Sequence, residues 1–246
     1  PMSFESDWRA WHDERERVAG ADYGPSALES TNWLISEPAA VENVPGLWAV
    51  GAEGEIRGTE LGVAGATVTL RRGEALRFGR RELRVFPRRE TVALRVFNPA
   101  RPQRERFSAI DAYRPDPAWR LPATFEPATD ESITIVAIDG DQHEAPIAGR
   151  LRFEIRGVAH ELTVTRNVRG GLGAVFADGT NGIETFPFRF LAIDEPDDDG
   201  TAVVDFNRAY LPPCAFSDQF VCPLPPAGNR FSAPIRAGER AVVLGR

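Results

Sequence analysis

Short apolar runs alternate with turn residues along most of this chain, and that alternation constrains its fold more than any other feature. The runs VPGLWAV, ATVTL, ALRFG, RELRVF and TVALRVF are each bounded by Gly, Pro or paired charges. β-branched and aromatic residues in such short runs, broken roughly every ten residues by turn signals, specify the strands of a sandwich or barrel. The pattern restarts with SITIVAI, GRLRFEI and HELTVTRN, the last two joined at Arg156-Gly157, which reads as a hairpin turn. Two longer runs follow, GAVFADGTNGIETFPFRFLAID and TAVVDFNRAY, joined by the acidic loop DEPDDDG, and AVVLG closes the chain as an edge strand. The expected fold is mainly β, with two β-rich halves of sandwich or barrel type and a short N-terminal helical region.

The helical region rests on periodicity. Phe4, Trp8, Trp11, Arg15 and Val18 recur at spacings of three and four, so aromatics and an arginine stem share one face. Ser3 or Ser6 is placed to cap this helix, and Gly20 sits where it should stop. A second short helix is expected around Ser26 to Asn32. Between residues 100 and 127, five prolines and paired arginines read as a long ordered connection between the halves. The expected organisation is a helical segment over 1–36, an N-terminal β half over 37–122 and a C-terminal β half over 123–246. Pro1 ahead of Met2 reads as a cleavage scar, with Met2 as the natural start.

Charge narrows the function classes. The net charge of −7 leaves no basic footprint for nucleic acid. No apolar run approaches the roughly 20 residues that span a bilayer, so no membrane partner is expected. The residues after Met2 lack the apolar core of a signal peptide, which points to the cytoplasm and to reduced Cys214 and Cys222. All 29 basic residues are arginines. Lysine chemistry is therefore excluded, and any side-chain cation that binds an anion here is a guanidinium, suited to bidentate carboxylate or phosphate contacts.

Familiar catalytic signatures are missing: there is no G-x-S-x-G elbow, H-E-x-x-H or P-loop. RGGLGAV follows a strand but precedes no helix, so it reads as a turn. His12, His143 and His160 are not spaced as a metal pair, and Cys214 with Cys222 is a weak zinc signal. The two thiols are left as packing residues, a disulfide, a reactive thiol or a metal ligand. No cofactor and no metal are expected.

Polar density concentrates in two places. The first runs from Asp178 through Asn181-Gly182, a tight-turn signal, to Glu184 and Arg189. The second is Val203 to Arg230, which holds Asp205, Asn207, Arg208, Tyr210, both cysteines and five prolines. Charges set among apolar runs are costly unless paired, so these residues form either an internal salt-bridge lock or a polar pocket. The expected site is a pocket where a Glu184–Arg189 strand meets an Asp205–Tyr210 strand, binding a small polar or anionic molecule. Glu184, Arg189, Asp205, Asn207, Arg208, Tyr210 and Cys214 are its candidate residues. One alternative is a hydrolase-like enzyme using Glu184 or Asp205 as base, or Cys214 as nucleophile. The other is a structural or interaction protein in which the C-terminal motif is a folding lock. Oligomeric state is not legible.

These segments also carry a resemblance. F-x-D-x-T-x-G-x-E-T-[FY] at Phe176 to Phe186, R-[FY]-L at Arg189 to Leu191, and V-V-D-F-N-R-A-Y-x-P-P-C-A-F at Val203 to Phe216 recur together. With them come C-P-L-P-P at Cys222 to Pro226, Asn229-Arg230 and I-x-A-G-E at Ile235 to Glu239. Upstream stand W-R-x-W at Trp8 to Trp11, W-L at Trp33-Leu34, P-G-x-W at Pro45 to Trp48, L-R-V-x-[DN]-P at Leu94 to Pro99 and P-x-W-R at Pro117 to Arg120. The sequence resembles the bacterial domain-of-unknown-function family 1684 over nearly its whole length. The resemblance implies little about chemistry, because the family is named for its unknown function. Pro187, Phe188 and Leu211 depart from the pattern, and at a pocket wall they would make it smaller and more apolar.

Overall fold

The computed structural model describes residues 3–62, 65–167 and 170–245. The expected start at Pro1-Met2 and Arg169 of the glycine-rich run lie outside these. The chain is mainly β, and it divides into two compact units. One comprises the described residues up to Glu16 together with Ser108–Val243; the other comprises Arg17–Phe107 with the residues from Leu244.

Helix α1 (Phe4–Ala19) begins the chain, with the Ser3 hydroxyl accepting from the Ser6 N–H at 3.2 Å. This is the expected helix, capped as its sequence suggests. In the smaller unit the strands are β1 (Leu28–Leu34), β2 (Ala39–Val41), β3 (Val44–Val50), β4 (Ile56–Thr59), β5 (Val68–Leu70), β6 (Ala75–Phe78), β7 (Arg81–Arg88) and β8 (Thr91–Phe97). They form two four-stranded antiparallel sheets, ordered β1-β8-β7-β6 and β2-β3-β4-β5. Trp48, Ile56 and Leu70 from one sheet and Leu83, Leu94 and Val96 from the other share one buried core. The second helix expected around Ser26 is instead a single 3-10 turn, Pro25–Ala27, running into β1. Pairing with β8 supplies backbone partners that an isolated short helix lacks.

The larger unit holds β9 (Phe107–Ala112), β10 (Arg120–Pro127), β11 (Ser132–Val136), β12 (Gln142–Pro146), β13 (Gly149–Ile155), β14 (Val158–Arg166), β15 (Leu172–Phe176), β16 (Arg189–Ile193), β17 (Thr201–Asp205) and β18 (Glu239–Leu244). Six of them form one antiparallel sheet ordered β16-β15-β14-β13-β10-β17; β11 pairs β12, and β18 pairs β9. The β13–β14 turn carries Arg156 at φ 52° and Gly157 at φ 79°, the positive pair that a two-residue hairpin requires. Burial alternates along β13 and β15, and their inward residues pack with Phe206, Phe231 and Ile235.

The proline-rich stretch expected as a connection is largely structured. It contains a short helix, α2 (Pro102–Glu105), then β9 and β10. β10 is an interior strand between β13 and β17. Its prolines are tolerated for a positional reason. The Phe125 N–H donates to the Gly200 carbonyl at 2.8 Å, so odd-numbered residues of β10 turn their amides toward β17. Pro122 faces β13 one residue before that pairing starts, and Pro127 faces β17 beyond the last β17 pair. Neither missing N–H removes a ladder bond.

Candidate functional site

Two of the expected site strands take other forms, and this changes what their residues do. Glu184 lies in a turn rather than a strand: the Thr180 carbonyl accepts from Glu184 and Thr185 N–H groups at 2.8 and 3.1 Å. β16 begins only at Arg189. β17 ends at Asp205, whose side chain caps a 3-10 turn over Phe206–Arg208.

The side chains of Arg189 and Asp178 are both wholly inaccessible and paired at 2.6 Å. Arg189 also donates to the carbonyls of Ile235 at 2.9 Å, Glu239 at 3.4 Å and Ala237. Asp178 in turn accepts from the Thr180 N–H and hydroxyl, at 2.8 and 2.7 Å, and from the Ile235 N–H at 3.0 Å. Asn181 extends the cluster by donating to Thr185 at 2.9 Å. The D-G-T-N-G-x-E-T run is thus one hydrogen-bonded cluster around a buried guanidinium, tied to the 235–239 segment. Gly238 serves the same closeness. It has φ 76°, and a Cβ there would stand 2.5 Å from the Ala209 carbonyl oxygen.

Glu184 faces outward from this cluster. Arg236 donates to it at 2.7–3.1 Å and the Tyr113 hydroxyl at 2.8 Å. The hydrogen bonds from Arg236 and then Tyr113 lower its carboxyl to about 2. A carboxylate that acidic is a poor general base near neutrality. Asn207 is fully buried, and its amide exchanges two 2.9 Å bonds with the Asp116 backbone while donating to Asp205 at 2.9 Å. Cys214 is half-buried beside Cys222, whose Sγ accepts the Cys214 N–H at 3.3 Å. Hydrogen bonding to Cys222 and burial push the Cys214 thiol up, the opposite of a nucleophile's requirement.

The remaining candidates border an open groove of about 850 Å³ within the larger unit. Asp205, Arg208 and Tyr210 line it; Glu184, Arg189, Asn207 and Cys214 do not. Its other walls include α1, through Phe4, Asp7, Trp11 and Arg15, the strand residues Arg120 and Ala192, and Asp194 just after β16. Arg15 is held rather than available. It grips buried Glu239 at 2.8 and 2.9 Å, donates to the Leu211 carbonyl at 3.2 Å and lies 4.8 Å from the Tyr210 ring centroid. The Trp8 indole donates to the Asn207 carbonyl at 2.7 Å, fixing the helix at a second point. Arg208 pairs with Asp7 at the rim, where both side chains are well exposed. Arg120 is exposed, and its side chain makes no hydrogen bond or ion pair with any described residue. It stands directly across the β10–β17 ladder from Asp205.

Several of these groove residues stand in sequence motifs that give them no role. Trp11 ends the W-R-x-W run, Arg120 ends P-x-W-R, and Arg15 sits on the helix face that carries Trp8 and Trp11. Their convergence on Asp205 depends on strand order, which no local pattern encodes. Separately, His12, Asp13 and Glu16 bring ligand atoms within 4.8 Å of one another on α1. Glu16 already accepts the Ile110 N–H there at 2.7 Å.

No curated protein registers as a match to the chain. Among solved structures, the chain is similar to an uncharacterized protein of Haloarcula marismortui determined by solution NMR. The two share 29 % identity over 56 % of this chain and 78 % of that one, with a TM-score of 0.46. The family described as "Protein of unknown function (DUF1684)" matches residues 105–240. That span includes β10, the Asp178 cluster, the Asp205–Tyr210 segment and Glu239, and the chain therefore belongs to the DUF1684 family.

Proposed function

We propose that this protein binds a small carboxylate-bearing molecule in the groove, and that the buried Asp178–Arg189 cluster is the lock that holds the groove's floor. The observation that carries the first half is Arg120. It is an exposed guanidinium without a partner among the described residues, in a concave site whose other arginines are engaged. An arginine in that position suits bidentate capture of a carboxylate. Arg208 is the natural second donor, because its pair with Asp7 is solvent-exposed and easily exchanged. Trp11, Tyr210 and Phe4 supply apolar surface against which a ligand can pack.

The second half rests on the inaccessibility of Asp178 and Arg189. A side chain with no solvent contact and four internal acceptors has no means of reaching a ligand. Glu184, too acidic for base catalysis, and Cys214, held as a thiol, do not support the hydrolase reading. In the groove Asp205 keeps one oxygen on Asn207 and orients it.

Titration calorimetry with succinate tests the proposal. Wild-type protein should bind with a dissociation constant near or below about 1 mM. A charge-assisted hydrogen bond contributes roughly 1.5–3 kcal/mol, so Arg120→Ala should weaken binding on the order of ten- to a hundredfold. Equal affinity in both proteins would remove Arg120 from the site.

A further inference from the structure

The groove is bordered by two edge strands whose outer sides are largely without strand partners among the described residues. β16 and β17 are the two ends of the six-stranded sheet. Phe190 and Tyr210 exchange two 2.9 Å backbone bonds on the side of β16 away from β15. Backbone direction alternates along a strand, so Ala192 also turns its N–H and carbonyl away from β15. On the other border, Phe125 bonds to Gly200, which fixes Ala123–Ala202 and Leu121–Val204 as the pairs that exchange bonds. Val203 and the Asp205 N–H therefore face away from β10. Ala192, Val203 and Asp205 all line the groove, and the groove-facing backbone groups of Ala192 and Val203 have no partner among the described residues.

Charged side chains stand at the two ends of this slot. Arg120, its side chain without a partner among the described residues, lies opposite Asp205 in the groove that Arg208 and Tyr210 also line. Asp194, exposed and also without a partner among the described residues, follows the other end of β16. Phe190, which bridges to Tyr210, marks the arginine end. The four residue steps from Phe190 to Asp194 cover roughly 13 Å at about 3.3 Å per step, close to the length of an extended tripeptide.

We infer that the groove takes a short unblocked peptide of about three residues, added as a strand along the β17 edge, with its carboxylate at Arg120 and its amino group at Asp194. Main-chain bonds to Val203 supply affinity that is indifferent to side chains, as in other cases of strand addition. The charge at each end sets the direction and limits the length. This inference rests on the carboxylate-binding reading of the same groove.

Calorimetry with four probes separates the two. Tri-alanine should bind at least tenfold more tightly than succinate. Its C-terminal amide, its N-acetyl form and a version N-methylated at the central amide should each bind at least tenfold more weakly than tri-alanine, and Arg120→Ala should lose tri-alanine as well. If succinate binds through Arg120 but tri-alanine binds no better, or if N-methylation changes nothing, the strand-addition inference fails and the carboxylate reading stands. If neither succinate nor tri-alanine binds, both fail.

Discussion

Replacing Arg189 with Met should come close to unfolding the larger unit. The guanidinium is wholly buried against Asp178 at 2.6 Å and donates to the carbonyls of Ile235, Ala237 and Glu239. Methionine fills much of the volume but restores none of these bonds. The Asp178 carboxylate loses its countercharge in a dry site, and breaking a buried pair by removing one partner costs about 3–5 kcal/mol. The stranded carbonyls add about 1–3 kcal/mol. A combined loss of about 4–8 kcal/mol compares with a total stability of about 5–15 kcal/mol for a typical domain. Urea unfolding followed by tryptophan fluorescence should show a large fall in midpoint, or no cooperative transition. The double variant Asp178→Asn/Arg189→Met should recover part of the loss, since it removes the stranded charge. It should not recover all of it, because Asp178 also accepts from Thr180 and Ile235. A single variant within about 1 kcal/mol of wild type would refute the lock and return Arg189 to consideration as a ligand residue.

Three further outcomes follow from the site. Arg208→Ala should leave the melting temperature within a few degrees, because an exposed pair contributes about 0–1 kcal/mol, yet it should weaken succinate binding severalfold by calorimetry. Glu184 should titrate near 2 by NMR. Its folded value lies below its unfolded one, so the stability that Arg236 lends through it is present above about pH 4.5 and lost as pH falls toward 2. The difference in urea midpoint between wild type and Arg236→Ala should shrink over that window, and a constant difference would contradict it. Cys214 should react with iodoacetamide at neutral pH more slowly than an unstructured cysteine, because burial and Cys222 favour its thiol form.

Local pattern carried the β architecture well. The helix from Phe4, the Arg156-Gly157 hairpin and the alternation of GRLRFEI are period and turn signals, which depend only on neighbours in sequence. Prolines misled where pairing context decides: Pro122 and Pro127 look like strand breakers until the edges of the β10 ladders are known. The charged motif residues were legible as important but not as to role. Arg189, Asn207 and Arg208 look alike as polar residues in apolar runs, yet their accessibility runs from none for Arg189 and Asn207 to about a third of the Arg208 side chain. Arg120 shows the opposite limit. Nothing near it in sequence marks its place; that follows only from β10 lying between β13 and β17, which sets it across from Asp205 at the groove.

Carboxylate binding requires that Arg120 and Arg208 meet an anion in the groove. Arginine side-chain Nε–H resonances, followed by NMR during a succinate titration at low salt, report this directly. Saturable shifts should be confined to Arg120 and Arg208, with Arg189 unmoved, and the Arg208 shift should be lost in Arg120→Ala. Resonances of Arg120 and Arg208 that stay fixed at tens of millimolar succinate would contradict carboxylate binding there.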